Sequence, residues 1–315
     1  MPFGLTNAPA TFQEMMDTMF KDKECCVWYM DDILIYKKKK AAHQANVGKI
    51  LQQCVNYGLA VNLTKSEFHV HETIFIGHIV NGSQVQMDPA KLESMFKLAV
   101  PTEKKEVQAF LSFASYYRRF IENYSAKVRP LEDHNKDIPF SCGHQQQHAC
   151  DEQRTCFFSA PILTQFDRTL QTIMETDASN QAVAGILSQY HIVKEAKQLH
   201  AIAYHAKTLS AEQRNWPMYH KELLAIVDCF QKWRHWLVGV EVNVHTDHQG
   251  LQYCNTKQKL NFIQVSWYLH MSEIHYNIHY RPGTKMGTPD GQSRGSGEEK
   301  SGMDATFFEE GQLLN

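Results

Sequence analysis

The chain has 315 residues, of which 43% are hydrophobic and 21% charged, and its net charge is −2. That length predicts two or three units rather than one core, and the near balance of charge gives no global signal for a polyanionic partner. No apolar run reaches the eighteen or so residues that span a bilayer, and no signal peptide is recognisable at the N-terminus. No membrane association is therefore expected, and the location should be intracellular, in cytoplasm or nucleus.

In chain order, residues 10 to 21 read as an amphipathic helix, and residues 25 to 36 as two β-rich runs meeting at Asp31-Asp32, which predicts a hairpin with two carboxylates at its turn. A helix over 41 to 57 ends at Gly58, and the alternation from Phe68 to Val80 predicts strands that close at Asn81-Gly82. Asp88-Pro89 opens another helix, and Pro101-Thr102 precedes one that runs on to Tyr117. From Pro130 to about Pro161 the pattern is poor and reads as a linking region. Strands are expected at 170 to 177, 182 to 189 and 199 to 206, then a long helix from Tyr219 to Trp236 with Leu223, Ile226, Val227, Phe230, Trp233 and Leu237 on one side. A strand over Val242 to Thr246, a helix over 262 to 273 and a last strand over 275 to 280 complete an α/β unit, and the tail is Gly/Ser/Glu-rich.

The eight cysteines show no CxxC pair and no disulfide-dense layout, so they read as free thiols. Local charge says more than net charge. Lys37 to Lys40 form one basic cluster, and Lys97, Lys104, Lys105, Arg118, Arg119, Lys127 and Arg129 a second, although such runs are most often solvated faces.

Four carboxylates of the C-terminal unit stand near the ends of expected elements: Asp177 after Thr172 to Thr176, Glu222 at the margin of the long helix's apolar stripe, Asp247 after Val242 to Thr246, and Asp290 beyond the final strand. Strand ends of an open sheet converge on one rim, where sites form. Four acids gathered there would repel one another, and a pair of Mg²⁺ ions would relieve that repulsion and support phosphodiester hydrolysis. Spacing alone leaves open that each acid merely caps a helix or sits in a turn.

The words around these residues carry a resemblance. Met1 to Gln13 with Tyr29-Met30-Asp31-Asp32, then Phe75-Ile76-Gly77-His78 and Tyr116 to Ile121, resemble the reverse transcriptase of gypsy-class LTR retrotransposons. Glu175 to Ser179, Tyr219 to Val227, Lys232 to Leu237, Thr246-Asp247-His248 and His279 to Gly283 resemble the ribonuclease H of the same polyprotein. The resemblance implies a partial palm over 1–82, a thumb-like helical region over 83–128, a connection over 129–165, a ribonuclease H domain over 166–295 and a disordered acidic tail over 296–315. The fold class it implies is α/β: an α+β palm remnant and thumb, then a mixed five-stranded sheet with flanking helices.

The resemblance also implies chemistry. Asp31 and Asp32 would take part in metal binding at a polymerase centre, while Asp177, Glu222, Asp247 and Asp290 would hold two Mg²⁺, or Mn²⁺, and hydrolyse the RNA strand of an RNA·DNA hybrid. Tyr280, ten residues before Asp290, or the adjacent His279, would assist product release, and Arg118, Arg119, Lys104 and Lys105 would contact nucleic acid. The family's other palm aspartate lies upstream of the Met-Pro-Phe-Gly word with which this chain begins, so polymerase activity is expected to be absent.

Several positions depart from the family. Its linking segment has a tryptophan near Cys142, a phenylalanine near Cys150 and a leucine near Gln153, and lost aromatic volume of that kind costs about 3 to 5 kcal/mol in a core. Its arginine-rich word before Trp267 is here Phe262 to Ser266, and its Ala-Leu after the last acid is Gly291-Gln292. Cys142 to Cys150, with His144 and His148, also admits a compressed Cys₂His₂ zinc reading. The competing reading of the whole chain is a degenerate, non-catalytic relic that at most binds nucleic acid.

Overall fold

A computed structural model describes residues 6–97, 101, 103–134, 144–193, 196–253 and 262–282. Backbone contacts divide the chain into two compact units, the first running to Gln165 and taking in Tyr204–Thr208, the second made of Phe166–Ala203 and the residues from Leu209.

In the first unit, α1 (Ala8–Phe20) buries Met16, Met19 and Phe20. These pack with Cys26 of β1 (Cys26–Tyr29) and with Ile50 and Cys54 of α2 (Lys40–Asn56). β1 pairs antiparallel with β2 (Asp32–Ile35), and Gly58 ends the α2 segment at φ 70°, a conformation that glycine adopts without strain. A second sheet runs in the order β3 (Glu72–Phe75), β4 (His78–Asn81), β5 (Gln84–Met87), β6 (Leu163–Thr164). The expected strand alternation up to Val80 is interrupted at Ile76-Gly77, where both residues have positive φ. Two tyrosines hold that turn. Tyr117 donates its hydroxyl to the Gly77 carbonyl at 2.8 Å, and Tyr116 donates to the Ile76 carbonyl.

The helical part of this unit begins with α3 (Pro89–Lys97), where the Asp88 carboxylate accepts from the Ala90 amide at 2.9 Å. Next comes α4 (Lys104–Tyr116), opened by a reciprocal Glu103/Glu106 capping box. Within the stretch expected to link, most of the described residues are helical: α5 (Tyr124–His134) continues through Pro130, and α6 (His144–Phe158) follows. In α6 the buried positions are Ala149, Cys150, Gln153 and Phe157, so a polar residue interrupts the apolar face and conceals the helical period. Gln153 is 0% exposed and neither amide atom has a partner, which costs roughly 1 to 3 kcal/mol.

The second unit is the expected mixed sheet, in the order β11 (His275–Tyr280), β10 (Glu241–Thr246), β7 (Thr172–Ala178), β8 (Ala182–Val193), β9 (Ala196–Thr208). β7 pairs antiparallel with β8 and parallel with β10, which pairs parallel with β11. A short α7 (Ala211–Arg214) leads into α8 (Met218–Leu237), whose predicted stripe from Leu223 to Leu237 is buried throughout. Met174, Leu187, Val242 and Val244 receive it from the sheet, and Trp267 and Met271 of α9 (Phe262–Met271) join the same cluster. Gly185 on β8 permits the close approach of α8, because a Cβ there would collide with the Cys229 sulfur.

Candidate active site

β7 and β10 run parallel with Thr176 level with Thr246, so the next residue on each strand line brings Asp177 beside Asp247. α8 supplies the third acid from its second turn. One oxygen each from Asp177, Glu222 and Asp247 lie within 4.8 Å of one another. Glu222 is 0% exposed: it accepts a hydrogen bond from the Ala178 amide at 3.2 Å, and the Thr246 hydroxyl lies 3.4 Å from its other oxygen. Among the described residues no other three His, Cys, Asp or Glu side chains gather in this way.

Burial, then the neighbouring Asp247 and Asp177, push the Glu222 carboxyl up to about 8. Burial and Asp247 likewise raise Asp177. Three hard oxygen donors that oppose one another's ionisation are what a divalent cation complements, so the residues present fit such an ion.

Residues 167–274 match the family described as an RNase H-like domain found in reverse transcriptase, and residues 1–80 match the reverse transcriptase (RNA-dependent DNA polymerase) family. The Transposon Tf2-3 and Tf2-4 polyproteins of Schizosaccharomyces pombe are each 32% identical to the chain over 301 residues, covering 93% of it. The chain joins a reverse transcriptase segment to an RNase H-like domain and is similar to LTR-retrotransposon polyproteins of the gypsy class. It spans 22% of the length of those polyproteins. Among solved structures, foamy viral protease-reverse transcriptase in complex with dsDNA superposes with a TM-score of 0.73 at 18% identity, covering 90% of this chain and 60% of that one. The same protein in complex with RNA/DNA hybrid gives 0.73 at 18%, covering 100% and 42%. At that identity the likeness shows the fold.

Along the chain the other predicted residues fall in different settings. Asp290, Cys142, the Gly291-Gln292 pair and the 296–315 tail lie outside the described residues. Tyr280 ends β11 level with Thr246 and is 40% exposed, while His279 pairs with the Asn243 side chain at 3.2 Å. Asp31 occupies the β1–β2 turn after Met30, whose φ is 49°, and Asp32 opens β2 opposite Tyr29. Both are exposed, and among the described residues no third acid, histidine or cysteine gathers with them. Lys104 and Lys105 are exposed at the start of α4, and Arg118 is exposed. Arg119 turns inward over the Phe120 ring, 5.7 Å from its centroid, and burial lowers its pKa, so it is better suited to packing than to a phosphate contact. Cys150 is fully buried while His148, two residues away on α6, is exposed. Positions two apart on a helix point in nearly opposite directions, which removes this pair as joint zinc ligands. No helix among the described residues is long and apolar enough to cross a membrane.

Sequence reasoning missed three supporting groups: the Ala178 amide, the Thr246 hydroxyl and Arg281, whose guanidinium pairs with Glu175 at 2.8 Å. The first two could have been found from the words holding Asp177 and Asp247, since each is the acid's chain neighbour. The third joins residues 106 positions apart, and no local pattern signals it.

Proposed function

We propose that this chain is a metal-dependent nuclease that hydrolyses the RNA strand of RNA·DNA hybrids. The observation that supports it is the meeting of Asp177, Glu222 and Asp247 from three elements, with Glu222 fully buried. Together with Asp290, these side chains would hold two Mg²⁺, or Mn²⁺. When bound, such ions orient a water for in-line attack and neutralise charge on the phosphodiester. The chain's own residues set the stage: the Ala178 amide fixes one Glu222 oxygen, and the exposed Tyr280, or His279, would assist product release. Hybrid recognition would rest on backbone shape and 2′-hydroxyl contacts, with Lys104, Lys105 and Arg118 as exposed basic contacts. The proposal includes the domain limits of the pol family given above and a site of action in cytoplasm or nucleus. It assigns no polymerase step to Asp31 and Asp32.

The non-catalytic alternative has one observation in its favour, the buried and unpartnered Gln153, which weakens the first unit's helical core. Cleavage of an end-labelled hybrid by the full chain in Mg²⁺, set against Asp247→Asn, separates the two. The nuclease reading expects product from the unaltered chain alone, and equal signal from both proteins eliminates it.

A further inference from the structure

We propose that Arg281 is a positioning residue for the carboxylate centre, fastening together the two strand ends that carry Asp177 and Asp247. The inference rests on the nuclease reading and deepens it.

The backbone ladder between β7 and β10 ends at Thr176 level with Thr246. Asp177 and Asp247 stand one residue beyond it, where backbone pairing no longer sets their separation. Arg281, the residue that follows β11, lies at that same level and holds both neighbouring strands. Its amide donates to the Thr246 carbonyl at 2.9 Å, adding a rung past the pairing of Thr246 with Tyr280. Its Nη1 donates to Glu175 Oε1 at 2.8 Å. Glu175 is level with His245 on β10, which is level with His279 on β11, so the ion pair bridges the full width of β10. The outer strands are two spacings apart, about 9.6 Å, a gap that the two side chains close together, and a planar fork keeps its direction where a lysine ammonium would not.

The two anchor points are adjacent to the acids. Thr246 immediately precedes Asp247, and Glu175 lies two residues before Asp177, on the same face of β7 by strand alternation. The Glu175 side chain is 6% exposed and that of Arg281 29%, so the pair is shielded and geometrically defined rather than a surface contact. Loss of the guanidinium would remove a 2.8 Å ion pair from a buried carboxylate two residues before Asp177. The consequence falls on metal affinity, because a cation held by oxygens from β7, β10 and α8 needs their spacing preset.

The test uses the full chain with Arg281→Lys and with the double substitution Glu175→Gln/Arg281→Gln, which removes both charges and so leaves no lone buried ion. Circular dichroism establishes that each variant folds. Mn²⁺ binding is then measured by calorimetry without nucleic acid, and hybrid cleavage is followed over a range of Mn²⁺ concentrations. We expect the double variant to bind Mn²⁺ about 10 to 100 times more weakly. Its half-saturating Mn²⁺ should rise by the same factor while its rate at saturating metal changes less, and Arg281→Lys should fall between the two. A folded double variant that binds Mn²⁺ as tightly as the unaltered chain overturns the inference. An unaltered chain that binds Mn²⁺ without cutting the hybrid defeats the nuclease reading alone, since affinity still judges Arg281. One that binds no Mn²⁺ defeats both.

Discussion

Each unit of this chain presents acids at the ends of paired strands, and only one of the two gathers them. Asp31 and Asp32 are consecutive, exposed, and carried by a two-stranded ribbon with no third acid among the described residues. Asp177, Glu222 and Asp247 are 45 and 25 residues apart in sequence and meet within 4.8 Å. The difference lies in the third element. A helix packed on the sheet delivers a carboxylate that cannot reach water, and a strand amide holds it in place. Adjacency of two acids concentrates charge, whereas convergence with a buried third makes a cage for a cation.

The contrast can be broken most directly by exchange of single acids. Asp247→Asn should lower hybrid cleavage by at least about a hundredfold, as loss of a metal-orienting group does, while Asp31→Asn should leave it within about twofold. Comparable losses in steady-state cleavage would show that the ribbon acids belong to the same chemistry. Next in size, Gly185→Ala forces α8 away from β8 and should cost about 1 to 3 kcal/mol. Calorimetric unfolding should show the loss in the second unit's transition and not in the first's.

A smaller, opposite effect is expected in the first unit. Gln153→Leu removes two buried, unpartnered polar atoms and should stabilise that unit by about 1 kcal/mol in urea unfolding; a loss of stability would mean that the amide is satisfied in solution. Smallest is a pH effect through His78. Burial, and then Arg119, hold its pKa below the ordinary 6.5, and its Nε2 is buried without a partner. Below pH 6.5 the unfolded chain takes up a proton that the folded imidazole refuses, so stability present above that pH is lost as pH falls through the folded value. His78→Phe should flatten this slope in thermal melts between pH 7 and 5.

The helices show what was legible in the sequence. α8 was expected over Tyr219 to Trp236 and spans Met218–Leu237, because its inward face is apolar at every turn. α6 was taken for linker although its backbone is as regular, because Gln153 and Cys150 stand on its buried face where larger apolar residues would announce the period. The turn at Ile76-Gly77 was missed for a related reason: isoleucine at positive φ has no local signature, and the tyrosines that hold it lie 40 residues away. At the site, the acids were legible from the words around them, while the order in which β11, β10 and β7 lie side by side, and hence the Arg281–Glu175 link, exists only after folding.

The place of β10 between β7 and β11 has a consequence for synthesis on the ribosome. Its two neighbours flank it in the sequence as well as in the sheet, β7 well before and β11 after. A nascent chain that has displayed β7 and α8 still lacks the strand that seats Asp247, and the partner on the far side of that strand emerges later again. Asp177, Glu222 and Asp247 can therefore meet only after β10 has been made, once most of this unit has emerged.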